Sequence, residues 1–145
     1  MADIVDAASR SRMMASIRGK DTKPELTLRR ALHRRGLRYR LHWKKLPGRP
    51  DLVFPRFRAA LFVHGCFWHQ HEGCRFATTP ATRTEFWQAK FDANVERDRR
   101  NQCDLANSGW KVGVVWECSI RKRGGEAIAS EVNAWLPSDE KNFEI

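Results

Sequence analysis

Residues 46–74 read LPGRPDLVFPRFRAALFVHGCFWHQHEGC. Two short apolar runs, DLVF at 51–54 and AALFVHG at 59–65, follow the turn-forming LPGRP at 46–50. Their Leu, Val and Phe content and the tight connection between them predict a β-hairpin. His64, His69, His71, Cys66 and Cys74 then crowd into eleven residues together with Phe67 and Trp68. Metal-ligand residue types mixed with turn formers, without helical or strand periodicity, predict an ordered loop over 66–80 held by an ion.

Outward from that centre the elements alternate. Downstream, a T-x-x-E pair (Thr82, Glu85) and the stop at Gly109 predict a long helix from Thr82 to Ser108, with Phe91 and Val95 facing the core. WKVGVVWECSI at 110–120 reads as a buried strand and EAIASEVNAWL at 126–136 as an amphipathic closing helix, with a frayed tail after Pro137. Upstream, Thr22 and Glu25 form another T-x-x-E with Pro24 in the first turn, and Leu28, Ala31 and Leu32 give a helical stripe that ends at Gly36. The whole predicts a mixed α/β fold, a small sheet flanked by helices, in one domain over 21–145. Residues 1–20 read as a basic arm or short helix with isolated apolar residues.

The chain has 145 residues and a net charge of +10. Residues 1–49 hold 14 Lys/Arg against 4 Asp/Glu, whereas the remainder balances 13 against 13, so the excess lies entirely in the first third. A localised basic segment fits a polyanion, because Lys and Arg displace counterions condensed on phosphates; it also fits a merely well-solvated surface. No apolar run approaches the roughly 20 residues of a membrane helix. The start, MADIVDAASRSR, has no apolar core behind a basic segment, so the expected compartment is the cytoplasm and no membrane partner is expected. In a reducing compartment four cysteines point to metal sooner than to disulfides.

Cys66, His71 and Cys74 form C-x4-H-x2-C, and with Cys118 from the later strand they can close a tetrahedral zinc site; the alternative keeps Cys118 as a buried strand residue. Cys103, mid-helix, reads as packing. Three histidines exceed what such a site needs, which leaves imidazoles for acid/base work, though spacing alone does not choose among them. Asp51 is either a strand-end carboxylate suited to magnesium or a turn residue after Pro50. Phosphodiester hydrolysis needs an activated water, a cation and a proton for the leaving 3′ oxygen, and Asp51, His64 and His69 can meet those needs. Trp87, Lys90 and Asn94 share a helix face at i, i+3, i+7. With Phe67 and Trp68, Trp87 can serve as a wedge between base pairs, where a mismatched step is cheaper to open, or can simply cover the sheet.

The strings LPGRPD (46–51), HGCFWH (64–69), ATRTEFW (81–87), NVERDRR (94–100) and VVWEC (114–118) closely resemble the very short patch repair (Vsr) endonucleases. The resemblance implies a fold similar to the PD-(D/E)xK restriction nucleases, a structural zinc, and magnesium-dependent nicking of duplex DNA 5′ of the T in T:G mismatches, which arise when 5-methylcytosine deaminates. It implies Asp51 and the Val63 backbone carbonyl as magnesium ligands, His69 as general base supported by Asp98, His64 as a helper at the scissile phosphate, and Glu25 as a further acid. It implies Cys66, His71, Cys74 and Cys118 as zinc ligands, Met14, Phe67, Trp68 and Trp87 as the wedge, and Lys90 and Asn94 as base readers. It further implies a monomeric bacterial protein working at the nucleoid, with mismatch-repair proteins as partners to test. Val63 stands where the family has Thr, the run QHEGC is one residue longer than the family's zinc loop, and the acid-x-lysine half of the restriction motif is missing, so a histidine must replace that lysine. Two rival readings remain: a broader mismatch or restriction-type nuclease, and a catalytically silent zinc-bearing DNA-binding protein.

Overall fold

The computed structural model describes residues 22–145; the expected basic arm and Met14 lie outside the described residues. Helix α1 (Lys23–Arg34) begins as its sequence dictates: the Thr22 side chain accepts from the Glu25 N–H, and Pro24 occupies the first turn. Strand β1 (Arg40–Leu41) follows, then the predicted hairpin of β2 (Leu52–Phe54) and β3 (Ala59–His64), joined by a short 3-10 turn at Pro55–Phe57. Helix α2 (Thr84–Asn107) crosses over to β4 (Lys111–Trp116), which leads directly into α3 (Glu117–Arg123), α4 (Gly125–Trp135) and β5 (Asn142–Glu144).

The five strands lie in sequence order. β2 pairs antiparallel with both β1 and β3, while β4 runs parallel to β3 and β5 parallel to β4. Because strand side chains alternate, the sheet has two apolar faces. Ala59, Leu61 and Val115 pack with Leu28 and Leu32 of α1 and Ile128 and Val132 of α4. Ala60, Phe62, Val112 and Val114 pack with Leu105 of α2 and with Cys66 on the other face. His64 and Trp116, paired in register, extend that second face to the ends of their strands.

Four expectations are corrected. The long helix starts two residues late: Arg83 adopts a left-handed backbone (φ 56°), and no side chain caps the start, so the Thr82/Glu85 pair is unused. Thr84 instead donates its hydroxyl back to Pro80 and Ala81 carbonyls. Val95 is 45% exposed. The inner seam of α2 runs Trp87, Phe91, Asn94, Asp98, Leu105, and Val95 falls one position off it. The strand predicted to reach residue 120 ends at Trp116, so Cys118 sits in the first turn of a helix. The segment after Pro137 is not frayed. Lys111 donates to the carbonyls of Trp135, Leu136 and Ser138, the Trp135 indole donates to Glu140 O, and Phe143 stacks on Trp135. These contacts deliver β5 to the edge of the sheet.

Candidate active site and metal centres

Three ligand-rich clusters gather at the ends of β2, β3 and β4. Asp51 immediately precedes β2. The last β2–β3 pair is Leu52 with Leu61, so Val63 lies beyond the backbone ladder between the two strands. The Asp51 carboxylate takes over, accepting the Val63 N–H at 2.7 Å. Glu25, on α1, is only 1% exposed. Its carboxylate takes His42 Nε2 at 2.8 Å and Arg29 at 3.0 Å, and His42 Nε2 lies 4.0 Å from Asp51. Burial, together with the neighbouring Glu25 charge, pushes the Asp51 carboxyl up to about 8. Two crowded, largely buried carboxylates suit a hard divalent cation, whose charge relieves both penalties. His42 was missed by the sequence reading; it follows a two-residue strand in a left-handed conformation (φ 46°), and no motif marks it.

The second cluster is His64, His69 and Asp98. The two imidazoles stack face to face, centroids 3.9 Å apart and 2° from parallel. Asp98, from α2, accepts from His69 Nδ1 at 2.5 Å, which leaves Nε2 as the basic nitrogen. Burial and the neighbouring His69 lower His64 to about 3, so it is neutral near pH 7.

The third cluster is Cys66, His71, Cys74 and Cys118. Turn hydrogen bonds from His71 N to Cys66 O and from Cys74 N to His71 O fold the loop into a knuckle, helped by left-handed Gln70 and Gly73. His71 Nδ1 lies 3.7 Å from the Cys66 sulfur and 3.4 Å from that of Cys118. Tetrahedral zinc with bonds of roughly 2.3 Å to sulfur and 2.0 Å to nitrogen sets that edge near 3.5 Å, so the donor set fits zinc. Burial, reinforced by the neighbouring thiols, pushes Cys66 up to about 12; thiols held this close ionise together only around a cation. Cys103 is exposed on α2, so the packing role expected of it is not met, and it lies outside the cluster.

A cleft of about 780 Å³ runs past the histidine pair, and its walls include Val63, Phe67, Trp68, Lys90, Asn94 and Arg97. Asn94 donates to Trp68 O at 3.0 Å, tying the aromatic loop to α2. Trp87 does not line the cleft; it is 4% exposed and packs beneath Phe67 and Trp68, with centroids 5.8 and 6.0 Å away.

Residues 2–75 match the family model described as DNA mismatch endonuclease Vsr. The chain is 43% identical over 148 residues to the DNA mismatch endonuclease Vsr of Escherichia coli, covering 100% of this chain and 94% of that protein. The chain belongs to the Vsr DNA mismatch endonuclease family. Other relatives in this Vsr group carry nicking names. The type II nicking enzyme V.XorIIP of Xanthomonas oryzae is 48% identical over 86% of this chain and 90% of its own length. V.NmeAIP of Neisseria meningitidis is 41% identical over 85% and 87% respectively. The mixed five-stranded sheet with helices on both faces fits the restriction-endonuclease-like fold expected of a Vsr protein. Among the described residues no helix is long and apolar enough to cross a membrane.

Proposed function

We propose that this protein nicks duplex DNA on the 5′ side of the T in a T:G mismatch, with magnesium at Asp51 and Glu25 and a structural zinc at Cys66, His71, Cys74 and Cys118. One observation carries the reading: a single cleft brings the stacked histidine pair onto the same walls as the Phe67/Trp68 aromatics and the Lys90/Asn94 polar pair. Such a cleft can open a weakened base step and hold its phosphate beside a base.

When bound, magnesium supplies charge neutralisation at the phosphate and lowers the pKa of a ligated water. The Asp51 carboxylate already holds the Val63 N–H, and the Val63 carbonyl is proposed as a further oxygen ligand on the resemblance. His69 Nε2 accepts a proton from the attacking water, and the Asp98 carboxylate stabilises the imidazolium that forms. The water oxygen bonds to phosphorus as the P–O3′ bond breaks, leaving a 5′ phosphate and a 3′ hydroxyl that takes its proton from solvent. Neutral His64 offers an N–H to a phosphate oxygen. Arg97 and Lys90 add positive charge to the cleft. Phe67 and Trp68 form the wedge, Trp87 supports it from beneath, and Asn94 serves first to hold the Trp68 carbonyl. We assign Met14 to the wedge on the resemblance alone.

The test compares an end-labelled T:G duplex with its T:A counterpart in magnesium, for the parent and for Asp51→Asn. The parent is expected to nick T:G, and the variant to bind it without nicking. Undiminished nicking by the variant would remove Asp51 from the mechanism, and binding without nicking by the parent would favour the silent-binder reading.

A further inference from the structure

Besides the DNA cleft, a second cavity of about 460 Å³ lies against the histidine pair, lined by His64, His69, His71, Asp98, Trp116 and Glu144 among others. His64 and His69 border both cavities, so the two rings stand as a partition with open space on either side. Rings in that position need backing to hold one orientation, and Asp98 supplies it for His69 alone.

His64 is backed by Phe62, 5.5 Å away at 48°, and by Trp116. Its indole meets the His64 ring edge to face, with centroids 5.2 Å apart at 70°. On its other side it stacks flat on His71, 4.1 Å away and 3° from parallel. A continuous series of rings therefore runs from His71 of the cysteine cluster through Trp116 to His64 and His69. Two contacts from the edge strand fix Trp116 in turn. Its backbone N–H donates to Ile145 O at 2.8 Å, and its indole N–H donates to the Glu144 carboxylate at 2.8 Å. Both acceptors come from the segment that β5 brings alongside β4. A carboxylate acceptor makes the indole bond charge-assisted and sets the rotation of the ring about its own strand.

We propose that Trp116 and Glu144 are positioning residues for the His64–His69 pair, and that β5 is thereby a working part of the nicking apparatus. This rests on the proposed roles of the two histidines. A residue holding a reactive ring in place changes turnover more than substrate binding, because misorientation is felt where bonds change.

The test uses the full chain with its purified metal complement. Glu144→Ala is expected to lower kcat for nicking a T:G duplex by about tenfold with KM unchanged. Glu144→Gln, which keeps an acceptor oxygen, is expected to restore kcat to within about twofold. The second readout is independent of activity. Stacked imidazoles shield one another, and the ring-current upfield shifts of the His64 and His69 carbon-bound protons should shrink in Glu144→Ala and return in Glu144→Gln. If Glu144→Ala fails to fold, Trp116→Phe, which keeps a ring and lacks the donor, takes its place with the same expected losses. Unchanged ring shifts and kcat within about twofold of the parent would overturn the proposal, as would equal losses in the Ala and Gln variants. A parent that shows the shifts but does not nick would instead overturn the proposed function, leaving the positioning geometry standing.

Discussion

Asp51 makes the stability of the magnesium-free protein depend on pH in an unusual direction. Its carboxyl is raised from an ordinary 3.8 to about 8, chiefly by burial and by Glu25. Between those values the folded chain holds a proton that the unfolded chain has lost, so stability falls as pH rises, by about 1.4 kcal/mol per unit at most. His64 has the opposite sign: lowered from 6.5 to about 3, it is neutral when folded and charged when unfolded, so its contribution falls as pH drops below 6.5. The two slopes oppose one another between about pH 4 and 6.5 and leave Asp51 alone above that. From pH 6.5 to 8 the Asp51 contribution amounts to a loss of stability on the order of 1–2 kcal/mol. At about 2–4 °C per kcal/mol for a chain of this size, the melting temperature should fall by about 3–6 °C. Asp51→Asn keeps an oxygen for the Val63 N–H and removes the ionisation, so its melting temperature should be nearly level over the same range. Differential scanning calorimetry in magnesium-free buffer measures the difference in slope between parent and variant, which cancels the titrating groups distant from Asp51 and reports the coupled Asp51–Glu25 pair. Added magnesium at pH 8 should recover stability in the parent alone. Equal slopes in the two proteins would refute the buried, Glu25-coupled placement of Asp51.

Three further outcomes are expected. Asp98→Asn should lower kcat by about a hundredfold with little change in KM, because the 2.5 Å partner of His69 loses its charge and can impose the wrong tautomer; steady-state nicking kinetics measure it. Metal analysis of freshly purified protein should find one zinc per chain, and stripping it should lower the melting temperature by about 10 °C or more; absence of zinc would refute the assignment of the cysteine cluster. Gly113→Ala places a methyl 2.7 Å from Leu61 Cδ1 and 3.0 Å from the Trp135 ring, inside the packed face beneath α4. Overpacking of about 1–3 kcal/mol should appear as a lower melting temperature without a change in KM.

Features written in local sequence were legible, and features made by distant chain segments were not. The hairpin at 51–64 follows from its apolar runs and turn residues, and the start of α1 from Thr22, Pro24 and Glu25, each acting within a few positions. Crowding of Cys66, His71 and Cys74 pointed to a turn-rich loop that brings these side chains together, because the three share one segment. His42 was invisible because its partners, Glu25 and Asp51, reach it from a helix and a different strand. Trp116 looked like an ordinary strand residue because its role depends on rings contributed by β3 and the knuckle. The tail was misread for the same reason: nothing within residues 138–145 favours a strand, and the contacts that place it come from Lys111 and Trp135. Val95 failed because it falls one position off the inner seam of α2, and the Thr82 cap because Arg83 takes a left-handed backbone at the start of the helix.

The central claim is tested most directly by mapping the cut. End-labelled duplexes carrying each of the mismatches and a matched control are incubated with the full chain and magnesium, and the products are sized at single-nucleotide resolution on both strands. The account predicts one nick, immediately 5′ of the T and on that strand, in the T:G duplex. Cleavage of the matched duplex at a comparable rate, or a cut on the G strand, would contradict it.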